Sequence, residues 1–156
     1  MSASTLKILA VHIYFLSLDA FIEFLRCFPC LENLYIMSPS LGSNNLWRRK
    51  HQNLIKSLDI RLKTIVLDPY GGRKPQVNFA TFFVLNAKVL ECMTLIVPDM
   101  KYSKKFVELQ RKKLQLENRA SRGARFRFMA SKDCPLRNVI YMKDVQDLDV
   151  MNPFTC

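Results

Sequence analysis

At 156 residues, with hydrophobic side chains forming 49% of the chain, this sequence can bury a core as one domain, which excludes a disordered segment of similar charge. The formal net charge is +11. Residues 61–131 hold fifteen basic and five acidic side chains, a net charge of +10, so the charge is concentrated in the middle of the chain. Such a field attracts acidic proteins, nucleic acid or anionic membranes without selecting among them.

The cysteines and the apolar amino-terminal stretch bear on the cellular compartment. Five cysteines at irregular spacing do not fit a secreted disulfide framework, so we expect reduced thiols and a cytoplasmic or nuclear location. Residues 8–18 are largely apolar, but they contain His12, lack a small-residue cleavage site and are too short to span a bilayer. They predict a buried strand leading into a helix, and no membrane partner is expected.

One spacing, L-x-x-L-x-L, organises the chain. It occurs, with apolar replacements for one of the leucines, at residues 6–11, 31–36, 62–67 and 90–95. In a leucine-rich repeat this hexamer is a short parallel strand, and the residues between hexamers return as a helix or an irregular segment. The spacing therefore predicts an α/β fold: a short leucine-rich-repeat-like solenoid with a parallel sheet and helices on its outer side.

Capping and breaking residues predict three helices between these strands. Ser17 can cap the first helix, and Pro29 ends it. Asn78 is predicted to begin the second helix, and Ser103 to cap the third. Gly123 is predicted to have the positive φ that ends this helical region.

The carboxy-terminal part is predicted to close the sheet. The alternation of arginine and phenylalanine over residues 125–128 indicates an edge strand with phenylalanines facing in and arginines facing out. Residues 132–156 are interpreted as a tail that caps the solenoid or is partly disordered, with a possible short strand at 138–142. Trp47, beside the basic run 48–51, is interpreted as a cover for the edge of the core, with stacking on a nucleic-acid base as the alternative.

Three parts of the sequence carry a family resemblance: residues 25–34, residues 59–67 with 77–87, and residues 114–126. With them, the chain resembles the carboxy-terminal part of a plant F-box/leucine-rich-repeat protein that carries an FBD domain. The resemblance implies a leucine-rich-repeat segment at 1–60, an FBD domain continuing the solenoid at 61–131 and a tail or cap at 132–156. Family members normally begin with an F-box, which binds the Skp-type adaptor of a cullin-RING ubiquitin ligase, and we expect none in this chain.

The resemblance also implies a function. We expect a non-catalytic protein-recognition module, similar to the substrate-binding half of an F-box ubiquitin-ligase adaptor but without its own F-box. Its partner would be a protein client, with an indirect link to a cullin-RING ligase through an F-box-bearing form. A headless competitor, a non-functional gene fragment and a basic nucleic-acid-binding module are the alternatives.

Two sets of residues are candidates for contact with a partner. The first set comprises strand positions predicted to point away from the core: Lys7, Ala10, Glu32, Tyr35, Lys63, Val66 and Thr94. The alternative, polyanion-binding set is basic: Arg111, Lys112, Lys113, Arg119, Arg122, Arg125 and Arg127. Because the sequence has no recognition motif for DNA or RNA, a specific nucleic-acid partner is not expected.

The cysteines and histidines do not have the spacing and placement of a redox, catalytic or metal site. Cys27 and Cys30 have C-x-x-C spacing, but they fall at the carboxy end of a predicted helix, where the dipole disfavours a thiolate. The remaining cysteines and both histidines are scattered singles without the paired spacing of a zinc site. We therefore expect no catalytic residue, no metal and no cofactor.

Overall fold

A computed structural model describes residues 5–39, 45 and 58–134. Its sheet comprises β1 (Ile8–His12), β2 (Asn33–Met37), β3 (Thr64–Asp68), β4 (Cys92–Val97) and β5 (Arg125–Ala130). The strands lie in chain order, and every neighbouring pair is parallel. The predicted α/β solenoid with a parallel sheet is confirmed, and β3 pairs with β2 directly, so one sheet runs through both halves of the chain. The predictions for Trp47, for residues 48–51 and for the tail from 135 onward lie outside the described residues.

Each of the four hexamers begins two residues before its strand. The hexamer at 31–36, for example, corresponds to β2 at Asn33–Met37. The leading leucines of the last three hexamers, Leu31, Leu62 and Leu90, are buried in the core even though they precede the strand hydrogen bonds. The leucine spacing therefore indicates which residues are buried. The hydrogen bonds between strands begin only where the backbones run side by side.

Within the described residues, three helices connect the strands: α1 (Leu18–Cys27), α2 (Lys74–Asn86) and α3 (Lys104–Lys113). The predicted caps are present, since Ala20 N donates to Ser17 Oγ at 3.4 Å and Phe106 N donates to Ser103 Oγ at 3.1 Å. The predicted start of α2 was wrong, because the helix begins at Lys74 rather than at Asn78. A proline in the first turn explains the earlier start. Proline has no backbone N–H, and the N–H groups of the first helical turn have no acceptor within the helix, so nothing is lost there.

The main core lies between the helices and one face of the sheet. Its centre is aromatic: the Phe83 ring lies 5.1 Å from Phe82, 5.2 Å from Phe79 and 6.3 Å from Phe21, centroid to centroid. These rings join α1 to α2 above the sheet, so the two repeats cannot separate without exposing them. Burial of such large side chains is the dominant stabilising contribution in a domain of this size.

Three residues outside the helices and strands have special roles in the connections: Gly72, Gln115 and Asn45. Gly72 has φ +70°, and a Cβ there would lie 2.7 Å from Gln110 Nε2, so only glycine fits the close approach. After α3 the left-handed residue is Gln115, with φ 54°, and the predicted positive φ at Gly123 was wrong. Asn45 is buried; its side chain accepts from Leu18 N at 2.8 Å and donates to Pro75 O at 3.0 Å. It thereby connects the amino ends of α1 and α2.

Candidate functional site

The sheet face opposite the helices is only partly open. Tyr35, Val66 and Ile96 form a second apolar cluster there with Cys134, and Met37 and Met129 pack against it. The predicted contact residues Tyr35, Val66 and Thr94 are 7%, 1% and 4% exposed. They point away from the main core, as strand alternation requires, but they are covered and are not accessible to a partner in this structure.

A buried polar pair lies beside this cluster. The Tyr35 hydroxyl donates to Asp68 Oδ2 at 2.6 Å. Burial raises the pKa of Tyr35, and the neighbouring Asp68 charge raises it further. Burial also raises the pKa of Asp68, while the hydrogen bond from Tyr35 opposes that change. Asp68 was missed by sequence reasoning, although it lies two residues after Val66 and therefore on the same face.

The accessible part of the first candidate set forms a row at the amino ends of three strands. Main-chain bonds align it: Glu32 N donates to Lys7 O at 2.9 Å, and Lys63 N donates to Glu32 O at 2.7 Å. The side chains pair in the same order: Glu32 Oε1 lies 3.7 Å from Lys7 Nζ, and Glu32 Oε2 lies 3.2 Å from Lys63 Nζ. The hydrogen bond from Lys63 is the main cause that lowers the pKa of Glu32. We call Lys7, Glu32 and Lys63 the charged row.

Two further residues extend this accessible surface. Ala10, on β1, is exposed. Glu91 continues the alternation of charge, because its main-chain N–H donates to Lys63 O at 2.7 Å and its side chain is exposed. Sequence reasoning missed Glu91, although it occupies the second position of its hexamer, as Lys7, Glu32 and Lys63 do in theirs.

The basic set is divided between two grooves near the end of the sheet. Arg111, Arg125 and Arg127 line a groove of about 420 Å³ together with Tyr102, Val107, Phe126 and Phe128, and we call it the β5 groove. Arg111 also lines a second groove of about 410 Å³, which includes Lys112, Arg119 and the acidic Glu117. Lys113 and Arg122 line neither groove. The structure thus brings five of the seven predicted basic residues together around Arg111.

The cysteines do not assemble into a reactive centre in the part of the chain that the structure describes. Cys27 is the last residue of α1, as predicted, and its thiol lies 3.6 Å from Glu23 O. Cys27, Cys30 and Cys134 are free thiols, but Cys92 is disulfide-bonded, so the prediction of reduced thiols was wrong for Cys92. Across residues 5–39, 45 and 58–134, no group of three or more histidine, cysteine, aspartate or glutamate side chains is placed to hold a metal ion.

Two family models match the sequence. Residues 1–36 match the leucine-rich repeats described as "FBD-associated F-box protein At5g56370, LRR repeats", and residues 50–95 match the FBD domain. The chain carries the leucine-rich repeats and the FBD domain of FBD-associated F-box proteins. Neither match is to an F-box domain, and comparisons with curated proteins and with solved structures find no match.

The family assignment agrees with the fold. In this LRR–FBD chain, the repeat match covers β1, α1 and most of β2, and the FBD match covers β3, α2 and the first part of β4. Domain boundaries at residues 60 and 131 remain predictions. Among the described residues, none of the helices is long and apolar enough to cross a membrane.

Proposed function

We propose that this LRR–FBD chain is a non-covalent protein-recognition module that corresponds to the client-binding half of an F-box ubiquitin-ligase adaptor. The charged row carries the proposal. Three adjacent parallel strands hold Lys7, Glu32 and Lys63 in a fixed, alternating order at the surface. A rigid charge pattern of this kind selects partners by electrostatic complementarity and needs no catalytic group.

The partner in this proposal is a protein client, bound without a cofactor. The chain would connect to a cullin-RING ligase only through a form that bears an F-box, and a form without one would compete for the client instead. We place this activity in the cytoplasm or nucleus, where such ligases act. An intact-mass measurement of the endogenous polypeptide, captured with an antibody against residues 135–156, distinguishes the two forms.

Site-specific crosslinking tests the proposal. A photo-crosslinking amino acid is placed at Ala10, an exposed position of β1 three residues after Lys7, or at Glu23, on the exposed side of α1, as the matched control. In extract, the Ala10 position is expected to give discrete adducts that Lys63→Glu weakens, and the Glu23 position is not. Identical adducts from both positions, or none from either, would contradict client recognition by this face.

Polyanion binding is a second candidate, because Arg111, Arg125 and Arg127 meet in one groove. Electrostatic binding of this kind weakens steeply as the salt concentration rises. A salt titration with DNA and RNA of different sequences measures it. Affinity confined to low salt and indifferent to sequence would remove a specific nucleic-acid function.

A further inference from the structure

Two backbone carbonyls at the outer edge of β5 are already bonded by side chains. Arg125 N donates to Glu91 O at 2.9 Å, so the main-chain groups of Arg125 face β4. Because these groups alternate in direction along a strand, the carbonyls of Phe126 and Phe128 face outward. Both are occupied: Arg111 Nη2 donates to Phe126 O at 3.2 Å, and the Tyr102 hydroxyl donates to Phe128 O at 3.4 Å. A strand added at this edge would find both of these carbonyls already bonded and could use only the outward N–H groups of the same residues.

Arg111 is held in place by two contacts. Besides the bond to Phe126 O, its guanidinium carbon lies 5.6 Å from the centroid of the Phe128 ring. A guanidinium has five N–H donors, so the single bond to Phe126 leaves donors for a carboxylate. Because the side chain is already ordered, a ligand would lose less conformational entropy in binding it.

Two of the arginines that line the β5 groove have no acidic partner among the residues that the structure describes. Arg111 and Arg125 form no ion pair with any described residue, and none of the described residues that line this groove is acidic, whereas Glu117 lines the neighbouring one. Arg125 and Arg127 extend from alternate positions of one strand, so they lie about 7 Å apart along its axis. This spacing matches acidic side chains at every second residue of an extended peptide.

Tyr102 adds an aromatic wall. Its side chain is 44% exposed, and it lines the groove with Val107 and Phe128. A groove whose lining includes arginines and aromatic side chains suits a chain that carries carboxylates and apolar side chains together.

We propose that the β5 groove binds an acidic, extended peptide segment of the protein client, with Arg111 and Arg125 holding its carboxylates. This inference rests on the proposed function, because it assigns the chemistry of the client. The client segment would alternate acidic and apolar residues. It would bind beside the edge strand through its side chains rather than by joining the sheet.

Fluorescence anisotropy tests the proposal with a defined probe. The probe is a fluorescein-labelled decapeptide that alternates glutamate with phenylalanine or leucine, and its counterpart has glutamine in place of every glutamate. The acidic probe is expected to bind the full chain, and Arg111→Ala with Arg125→Ala should weaken it by about tenfold or more. The control, Lys104→Ala with Lys105→Ala, removes the same charge from exposed positions of α3 outside the groove and should change the affinity less than threefold.

Two further measurements keep the proposal falsifiable. Arg125→Ala alone leaves the hydrogen bond from Arg111 to Phe126 O intact. A loss of peptide affinity in this variant would therefore reflect a lost ligand contact and not a disrupted β5 edge, and its thermal midpoint should match that of the parent. A single-stranded DNA twenty-mer is the second probe. Equal losses from both double variants, or DNA binding as tight as that of the acidic peptide, would overturn the proposal in favour of non-specific polyanion binding. If the acidic peptide fails to bind while the Ala10 crosslinks persist, this inference fails and the proposed function stands.

Discussion

On the helix side of the sheet, Phe83 lies among Phe21, Phe79 and Phe82 in one continuous apolar core. On the other side, the same strands carry a small cluster around Val66 and the Tyr35–Asp68 pair, and the charged row lies at the amino ends of β1, β2 and β3. The leucine spacing constrains only the first side, because stacking of repeats requires only one buried face. The leucine spacing leaves the chemistry of the second side open, and the proposed contact surfaces lie at the edges of the sheet, in the charged row and the β5 groove.

The largest expected effect comes from the helix side. Phe83→Ala removes a fully buried ring and should lower the free energy of unfolding by about 3–5 kcal/mol. Val66→Ala, its counterpart on the other side, removes two buried methyl groups and should cost about 2 kcal/mol. Urea denaturation of both variants measures the difference. Equal losses in the free energy of unfolding would mean that the two faces contribute equally to one cooperative core.

The next effect concerns the close approach of the loop after β3 to α3. Gly72→Ala forces a side chain into a left-handed conformation and against Gln110, whose Oε1 accepts a 2.8 Å hydrogen bond from the Tyr70 hydroxyl. We expect a loss of about 2–3 kcal/mol, measured by thermal denaturation. Gly123→Ala is the matched control, because nothing lies within 4 Å of an added Cβ and its φ is not positive. A Gly72→Ala protein as stable as the control would show that the loop can move away from α3.

The repeat spacing allowed most of this fold to be predicted from the sequence, and the physical reason is visible at Leu31, Leu62 and Leu90. Each is buried at the start of a unit, so a regular leucine spacing requires a regular stack. The burial of Val66 and Thr94 was not predictable in the same way. Alternation tells which face a side chain points to, but not whether other parts of the chain cover that face.

For the basic residues, composition revealed the charge but not its arrangement. Arg111 lies in the last turn of α3 and Arg125 begins β5, and only the crossover from α3 to β5 places them in the lining of one groove. Lys113 and Arg122 belong to the same basic stretch and line neither groove. Helix phase and loop path decide these positions, and neither can be read from charge counts.

The buried pair predicts a pH dependence confined to the second side. Burial raises the pKa of Asp68 in the folded chain, so stability is fully present below the ordinary aspartate pKa and is lost as the pH rises through the raised value. Asp68→Asn should remove this decline. Tyr35→Phe should make it steeper and cost about 1.5 kcal/mol at neutral pH, because the carboxylate loses its donor. Denaturation midpoints from pH 3 to 8 measure both, and identical profiles in all three proteins would argue that the pair is solvated.

The smallest expected effect on stability lies in the charged row. Lys63→Glu places a carboxylate beside Glu32 at an exposed position, so the thermal midpoint should change little and any decrease should vanish at high salt. The pKa of Glu32 should rise, because its hydrogen bond from Lys63 is the main cause that lowers it, and NMR titration measures this directly. Partner binding should change at the same time. A midpoint loss as large as that of Val66→Ala would place Lys63 within the packed structure, and the charged row would then be unsuited to recognition.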